Sequence, residues 1–389
     1  MDAGTQRRPV VGHAMRAYLA PSETFVHNQI TSLTRYRPVV VAHHRRPETE
    51  TPLVDGVVAT EALAAPLSLL QRGGYRAARV ALPAGVELLA RRLRDEGARL
   101  LHYHYLTDAR FLLAIARRTG LPAVASAYGY DVTLFPRQYG GLGRRYLRPV
   151  FDRLDCVLAM SEDMGDDLVA IGCPADKIRV HYHGSPTARF RHPQRRHRTD
   201  APLTVLCCAR LEPIKGQDVA LEALRRLERR GRRDLRLVLV GDGSDRGRLQ
   251  RIVADAGWTG ERVVFAGHVP HASDALVRHF RDADVFVHPS HTIRGVKEGI
   301  PGTIVEAMAA GLPVVATRHG GIPAVIESGR EGVLVGEDDP EALASALEAL
   351  AADAGDRERL GRAAAERAAR ELDLHARTAA LERIYDRLV

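Results

Sequence analysis

Glu298 and Glu306 stand on either side of a Gly299-Ile300-Pro301-Gly302 break, and the run EAMAAGLPVVAT begins at the second of them. Carboxylates accept hydrogen bonds from hydroxyl groups, and a helix start offers bare amides that favour an anion. The pair therefore resembles a site for a ligand carrying both phosphate and hydroxyls. A plainer reading exists for Glu306: Thr303-Ile304-Val305-Glu306 spells a capping box, closed downstream by Gly311 and Pro313. That reading leaves Glu298 in a loop with nothing to do. The segment CCARLEPIKGQD adds Arg210 and Lys215 just before Gly216. Arginine can fork two oxygens and lysine supplies a point charge, so the two suit a diphosphate; ordinary solvated loop charge is the alternative. In LVLVGDGSDRGRL, Gly241, Gly243 and Gly247 resemble a dinucleotide fingerprint with its last interval one residue too long, so a turn beneath a nucleotide fits as well as NAD does. Asp282 and Asp284 form an Asp-x-Asp of the kind that can hold a divalent metal. Ala283 to Val287 reads as a helix end entering a buried strand, so no obligatory metal is expected.

These residues need elements to hold them. Apolar strands alternate with amphipathic helices along the chain, the pattern of doubly wound α/β domains. RPVVVAHH, RLLHYHY, LPAVASAYGYD and DCVLAMS read as strands in the first half. LTVLCCAR, LRLVLVGDG, RVVFAGHV, ADVFVHPS, LPVVATRHGG and EGVLVG do so in the second. The basic tract RHPQRRHRTDAP separates the two series. The expected division is an N-terminal domain over 1–190, a linker over 191–202, a second domain over 203–370 and a terminal helix over 371–389 that packs back on the first domain. Ligands in such sheets bind beyond the carboxyl ends of the strands.

The chain has 389 residues, 45% hydrophobic and 27% charged, a composition suited to two soluble globular domains. No apolar run approaches the roughly 20 residues of a membrane span. The start MDAGTQRRPV lacks the apolar core of a signal peptide, so a cytoplasmic location is expected. Cys156, Cys173, Cys207 and Cys208 lack metal-ligand spacing and read as reduced structural thiols. The net charge of +8 is uneven: residues 1–190 hold 25 Lys+Arg against 18 Asp+Glu. A basic half fits an anionic partner or solvated charge alone.

The ordered set Arg210-Leu-x-Pro-x-Lys215-Gly, Val240-Gly-Asp-Gly, Gly267-His268-Val, Pro289-Ser290 and Glu298-x7-Glu306 resembles the donor domain of retaining glycosyltransferases of family 4. The segments PSETFVHNQI, LLHYHYLTDA and YGYDVT are similar to the first half of members that build exopolysaccharides such as colanic acid. The resemblance implies a GT-B fold, two Rossmann-like domains facing a cleft. It implies transfer of a hexose-type sugar, with retention, from a nucleoside diphosphate sugar, uridine-linked, to an acceptor hydroxyl, with no cofactor. Glu298 would meet the sugar and Glu306 the ribose. Arg210 and Lys215 would meet the diphosphate, with Gly241, Gly243, His268, Gly299, Ile300, Pro301, Gly302 and Thr303 also lining the donor site. His104 and Tyr128 are expected near the chemistry, because Tyr128-Gly129 stands where members commonly have His-Gly. Glu23, Thr24, His102, Asp108 and Asp131 are the expected acceptor-side residues, although Asp131 also suits a helix cap. Ala324 departs from the Glu that often follows the GGIP motif.

The expected acceptor is a lipid-linked glycan, which would bring the protein to the inner membrane face. A soluble metabolite such as an aminoglycoside antibiotic is the other acceptor considered. Aromatic content of 5% and the lack of a recognition motif argue against a nucleic-acid-binding protein. An NAD-dependent oxidoreductase rests on the Gly-rich loop alone, and a nucleotide-sugar epimerase shares the architecture.

Overall fold

The computed structural model describes residues 8–18, 23–45, 57–64, 66, 67, 69, 70, 81–192 and 202–389. The chain divides into two compact units, Met1–Gly184 with Leu374–Val389, and Ser185–Asp373. The division falls earlier than the expected boundary at 190. The Ser185 amide donates to the Leu372 carbonyl at 3.0 Å, the Thr187 hydroxyl donates to Asp373 at 2.6 Å, and Phe190 packs edge-on against Phe280 at 5.2 Å. Most of the basic linker, residues 193–201, lies outside the described residues.

The first unit is a seven-stranded sheet in the order β3-β2-β1-β4-β5-β6-β7. Its strands are β1 (Val10–Tyr18), β2 (Arg37–Arg45), β3 (Val58–Ala59), β4 (Ala98–His104), β5 (Ala123–Ser126), β6 (Cys156–Ala159) and β7 (Ile178–Val180). All pairings are parallel. The sequence reading found β2, β4, β5 and β6 and missed β1, β3 and β7. β1 is central and buried, but its VVGHAMRAY places a Gly, a His and an Arg inside the apolar run and blurs the signal. Its register sets His13 beside His102 of β4, and His104 beside Ser126 of β5.

The second unit is a six-stranded parallel sheet ordered β10-β9-β8-β11-β12-β13. Its strands are β8 (Leu203–Cys208), β9 (Leu235–Val240), β10 (Val263–Gly267), β11 (Val285–His288), β12 (Val314–Thr317) and β13 (Gly332–Val335), which match the six expected. Val205, Leu237, Val285 and Val315 share one buried cluster with Leu221 and Leu347 of flanking helices, as a parallel sheet covered on both faces requires. Asp284 belongs to this frame: its carboxylate accepts the Thr204 amide at 2.8 Å and so locks β8 to β11.

The helix expected over 371–389 is Leu374–Tyr385, preceded by the helices Pro340–Ala352 and Ala354–Glu371, and it belongs to the first unit. Glu382 shows why. Its fully buried carboxylate accepts the amides of Thr34 at 2.8 Å, Arg35 at 2.7 Å and Tyr36 at 3.3 Å, and so holds the turn that feeds β2. Tyr385 donates or accepts at His102 Nδ1, 2.6 Å away. Glu382→Ala should strand these buried amides and cost about 2–3 kcal/mol in chemical denaturation; an unchanged midpoint would show that the helix is held by apolar contact alone.

Candidate active site

Both sheets reverse their winding order at one place, between β1 and β4 and between β8 and β11. The crevice beyond the strand ends at such a switch point is where α/β sheets take ligands. In the second unit the expected residues gather there. Lys215 ends the turn Pro213–Lys215 after β8, and its ammonium is paired with Glu298 Oε1. Ser290 Oγ, just after β11, donates to Glu298 Oε2 at 2.8 Å, and His288 Nε2 lies 3.3 Å from the same oxygen. The Glu298 amide donates to His319 Nε2 at 3.0 Å. His319 must therefore carry its proton on Nδ1, which faces Glu337 Oε1 at 2.8 Å.

Glycines let these loops close. A Cβ on Gly216, whose φ is +66°, would sit 1.9 Å from the Pro289 carbonyl oxygen. One on Gly320, at φ +49°, would sit 2.2 Å from the Glu298 oxygen. No side chain fits at either place, so the loops after β8, β11 and β12 meet backbone to backbone. Gly241 and Gly243 press in the same way on Ala209 and Leu211, and so shape the Arg210 loop from beneath.

The electrostatics favour a charged Glu298. Burial alone would raise its pKa, but the Lys215 ammonium and the His288 hydrogen bond reverse that and hold it far below its ordinary 4.5. Burial keeps His288 below its usual value and so neutral. Arg210 is placed differently. Its guanidinium is 61% exposed and pairs only at the surface, with Glu212 at 2.5 Å. Such a pair is worth at most about 1 kcal/mol, so Arg210 is available to another anion.

Glu306 lies in the helix Gly302–Ala309 and is buried. The helix starts after Pro301 with no side-chain cap, so the capping box is not formed; Glu306 Oε1 instead meets His271 Nε2 at 2.8 Å. Among the described residues Glu306 Oε2 is buried without a hydrogen-bond partner. A buried carboxylate oxygen left unpaired is costly, and a ligand hydroxyl would satisfy it. Gly299, Pro301, Gly302 and Thr303 are half-buried around it, Ile300 is buried, and His268 is exposed close to Asp242.

In the first unit the expected residues separate into two kinds. His102 is fully buried, with Nδ1 on Tyr385 and Nε2 on Ser126 Oγ at 2.8 Å, so it positions neighbours instead of reaching a ligand. Asp131 is also internal: it accepts the amides of Leu106 at 2.8 Å and of Tyr128 and Gly129 at 3.1 Å each. It thereby caps the helix Leu106–Thr119, not the turn that follows it, and ties the β5 loop to the end of β4. Tyr105, between them, has φ +71°, a strained value for a side chain of its size. Asp108 accepts the Arg16 amide at 2.7 Å, and burial raises its carboxyl to about 7 despite the Arg16 charge. Glu23 and Thr24 open the helix Thr24–Thr31. Tyr128 is half-buried, and its hydroxyl meets fully buried His104 at 2.9 Å. His13, His271, His288, His319 and Glu337 were not singled out in the sequence; isolated histidines give no spacing signal, and β1 was unread.

Residues 202–353 match the family model described as glycosyl transferases group 1, and residues 22–189 match glycosyltransferase family 4. A GDP-mannose-dependent alpha-(1-6)-phosphatidylinositol monomannoside mannosyltransferase of Mycolicibacterium smegmatis is 32% identical over 302 residues, 72% of this chain and 76% of that protein. The chain belongs to this glycosyltransferase family. It is also 39% identical over 201 residues to the putative colanic acid biosynthesis glycosyltransferase WcaL of Salmonella typhimurium, covering 51% of this chain and 48% of that one. The amylovoran biosynthesis glycosyltransferase AmsK of Erwinia amylovora is 37% identical with the same coverage. The chain thus spans about half the length of these two curated relatives. Among solved structures, HepE of Anabaena in complex with UDP superposes with a TM-score of 0.75 at 18% identity, over 98% of this chain and 100% of that one. Sucrose-phosphate synthase of Thermosynechococcus elongatus gives 0.78 at 20% identity, over 98% and 99%. The chain accordingly has the GT-B fold, two parallel-sheet Rossmann-like units.

Two outcomes follow from the buried Lys215–Glu298 pair. Removing one partner leaves a lone buried charge, so Lys215→Met should cost about 3–5 kcal/mol, and Lys215→Met/Glu298→Gln should recover part of it. A depressed carboxylate pKa stabilises fully above the unfolded value of 4.5 and is lost as pH falls toward the folded one. Wild type should therefore lose stability below pH 4.5 more steeply than Glu298→Gln; parallel pH profiles would mean that the pair contributes nothing net.

Proposed function

We propose that this glycosyltransferase moves a sugar, with retention, from a nucleoside diphosphate sugar to an acceptor hydroxyl of a lipid-linked glycan in exopolysaccharide assembly. The observation that carries the donor half is the unpaired, buried Glu306 Oε2 in the same unit as a fully charged Glu298. One carboxylate is left for a ribose hydroxyl and the other for sugar hydroxyls. Uridine is the base we favour, in line with the UDP bound by HepE, while the GDP-mannose dependence of the mycobacterial relative makes guanosine the competing choice. The colanic acid and amylovoran relatives support a polysaccharide acceptor.

On this reading, cleavage of the anomeric C–O bond leaves an oxocarbenium-like sugar and a growing negative charge on the diphosphate. Cations already in place stabilise such charge most as it develops, by about 3 kcal/mol per donor. Arg210, held only by a surface pair, turns to the phosphates, and Lys215 shares its charge between them and Glu298. The acceptor attacks on the leaving-group side and the diphosphate takes its proton, so no protein nucleophile is required. We assign no metal to the Asp-x-Asp, because an Asp284 oxygen is taken by the Thr204 amide. The basic surplus of residues 1–190 suits an anionic, membrane-borne acceptor, which leads us to place the protein at the inner membrane face. No helix among the described residues is long and apolar enough to cross a membrane.

The reading is tested by nucleoside diphosphate release from UDP-, GDP- and dTDP-sugars with excess EDTA. One donor should be hydrolysed slowly by wild type and not by Glu298→Ala. Glu298→Ala should still bind that nucleotide, and Glu306→Ala should bind it at least tenfold more weakly, the equivalent of about 1.4 kcal/mol. Absence of both binding and hydrolysis across the panel would end the proposal.

A further inference from the structure

His13 lies on the strand β1 and makes one hydrogen bond, from Nδ1 to His104 Nε2 at 3.0 Å. His104 Nδ1 in turn meets the Tyr128 hydroxyl at 2.9 Å, with the two rings parallel to within 2°. Both histidines are fully buried. We propose that His13 is a positioning residue that fixes the tautomer of His104, so that the phenol of Tyr128 is presented as a hydrogen-bond donor to an oxygen of the bound carbohydrate. The inference rests on the glycosyltransferase reading above.

The direction of the chain follows from proton counting. A neutral imidazole has one N–H and one bare nitrogen. His13 Nε2 is buried without a partner among the described residues. A buried N–H lacking an acceptor is the rarer and costlier kind of unpaired group, so the proton of His13 sits on Nδ1 and is donated to His104 Nε2. His104 then carries its own proton on Nδ1 and donates it to the Tyr128 oxygen. That oxygen already accepts, so its proton points elsewhere. Two destinations remain: the neighbouring Ser126 hydroxyl and a ligand on the exposed side. Ser126 Oγ is already engaged with His102 Nε2 at 2.8 Å, which leaves the ligand side as the better destination.

The surroundings keep the chain neutral and still. Burial pushes His13 down to about 3 and, together with the neighbouring His13, holds His104 well below its ordinary value. The phenol is held protonated, again mainly by burial. Phe25 and Tyr105 pack edge-on against the Tyr128 ring with centroids at 4.8 and 4.7 Å. The three histidines His13, His102 and His104 bring ring nitrogens within 4.8 Å of one another, a spacing that also fits a metal ion. Here His102 and His104 have both nitrogens engaged by hydroxyls or by each other's neighbours, which favours a hydrogen-bonded network over a ligand set.

Long-range proton–nitrogen NMR of the full chain reads the tautomers directly, whether or not a donor is known. His104 should be protonated on Nδ1 in wild type and in His13→Asn, whose amide can still donate to it. In turnover, Tyr128→Phe should lower kcat about tenfold, the loss of one hydrogen bond to a ligand. His13→Leu should fall to the same level, the double variant no lower, and His13→Asn should stay within about threefold of wild type. Nucleotide affinity should be unchanged in all of them, which separates failure here from failure of the donor assignment. A His104 protonated on Nε2, losses that multiply in the double variant, wild-type turnover in His13→Leu, or one equivalent of zinc in the protein as isolated would each overturn the proposal. Should His13→Leu not fold, the tautomer spectrum and His13→Asn against Tyr128→Phe still decide it.

Discussion

A parallel sheet with right-handed crossovers has to reverse its winding once if helices are to cover both faces, and at that point two neighbouring strand ends send their loops apart. Everything chemical in this chain is arranged around that constraint. β8 and β11 adjoin, so the loops carrying Lys215 and Glu298 open on the same gap although 83 residues of sequence separate them. β1 and β4 adjoin in the same way, which sets His13 beside His102 and brings His104 to the start of the helix Leu106–Thr119. The crevice is a consequence of topology; the side chains only decide what it accepts.

Burying a carboxylate there is expensive unless every lone pair is met. Glu298 is supplied with an ammonium, a hydroxyl and an imidazole at its carboxylate and a second imidazole at its amide. That order is possible only because Gly216 and Gly320 let three loops touch through their backbones. Glu306 is the contrast: one oxygen is met by His271 and the other by nothing. A fully satisfied carboxylate is a preorganised one, whereas a half-satisfied one stores a cost that binding can remove. The two glutamates that look alike in sequence thus differ in their surroundings, one with both oxygens met and one with an oxygen left open.

The second unit was largely legible because its strands are short apolar runs ending in Gly, Pro or charged loops, and because its polar residues fall where those runs stop. Arg210, Lys215, Glu298 and Glu306 could be found that way. What could not be found were the partners. His288 and His319 touch Glu298 from different strands, and His271 reaches Glu306 across 35 positions, distances at which a sequence carries no spacing signal. In the first unit the alternation of β1 is broken by polar residues that turn out to be buried and hydrogen-bonded. His102 and Asp131, ambiguous in sequence between ligand contact and internal support, form internal hydrogen bonds; a polar residue at a strand end looks alike in either role.

The buried histidines of the first unit bear on where charge can be handled. His13, His102, His104, His181 and His183 are all shifted below the ordinary imidazole value by burial. A group of five imidazoles therefore contributes no cation near neutral pH, and its Tyr128 adds a phenol that also stays neutral. Such groups can orient oxygens by hydrogen bonds but supply no counter-charge for an anion. The second unit holds the opposite equipment, with Arg210 weakly held at the surface and Lys215 already paired. Fixed positive charge and neutral hydrogen-bonding groups are thus segregated, each in its own unit. Tyr128 keeps to that division: burial holds its phenol protonated, so it can donate a hydrogen bond and, unlike an imidazole, has no cationic form to add.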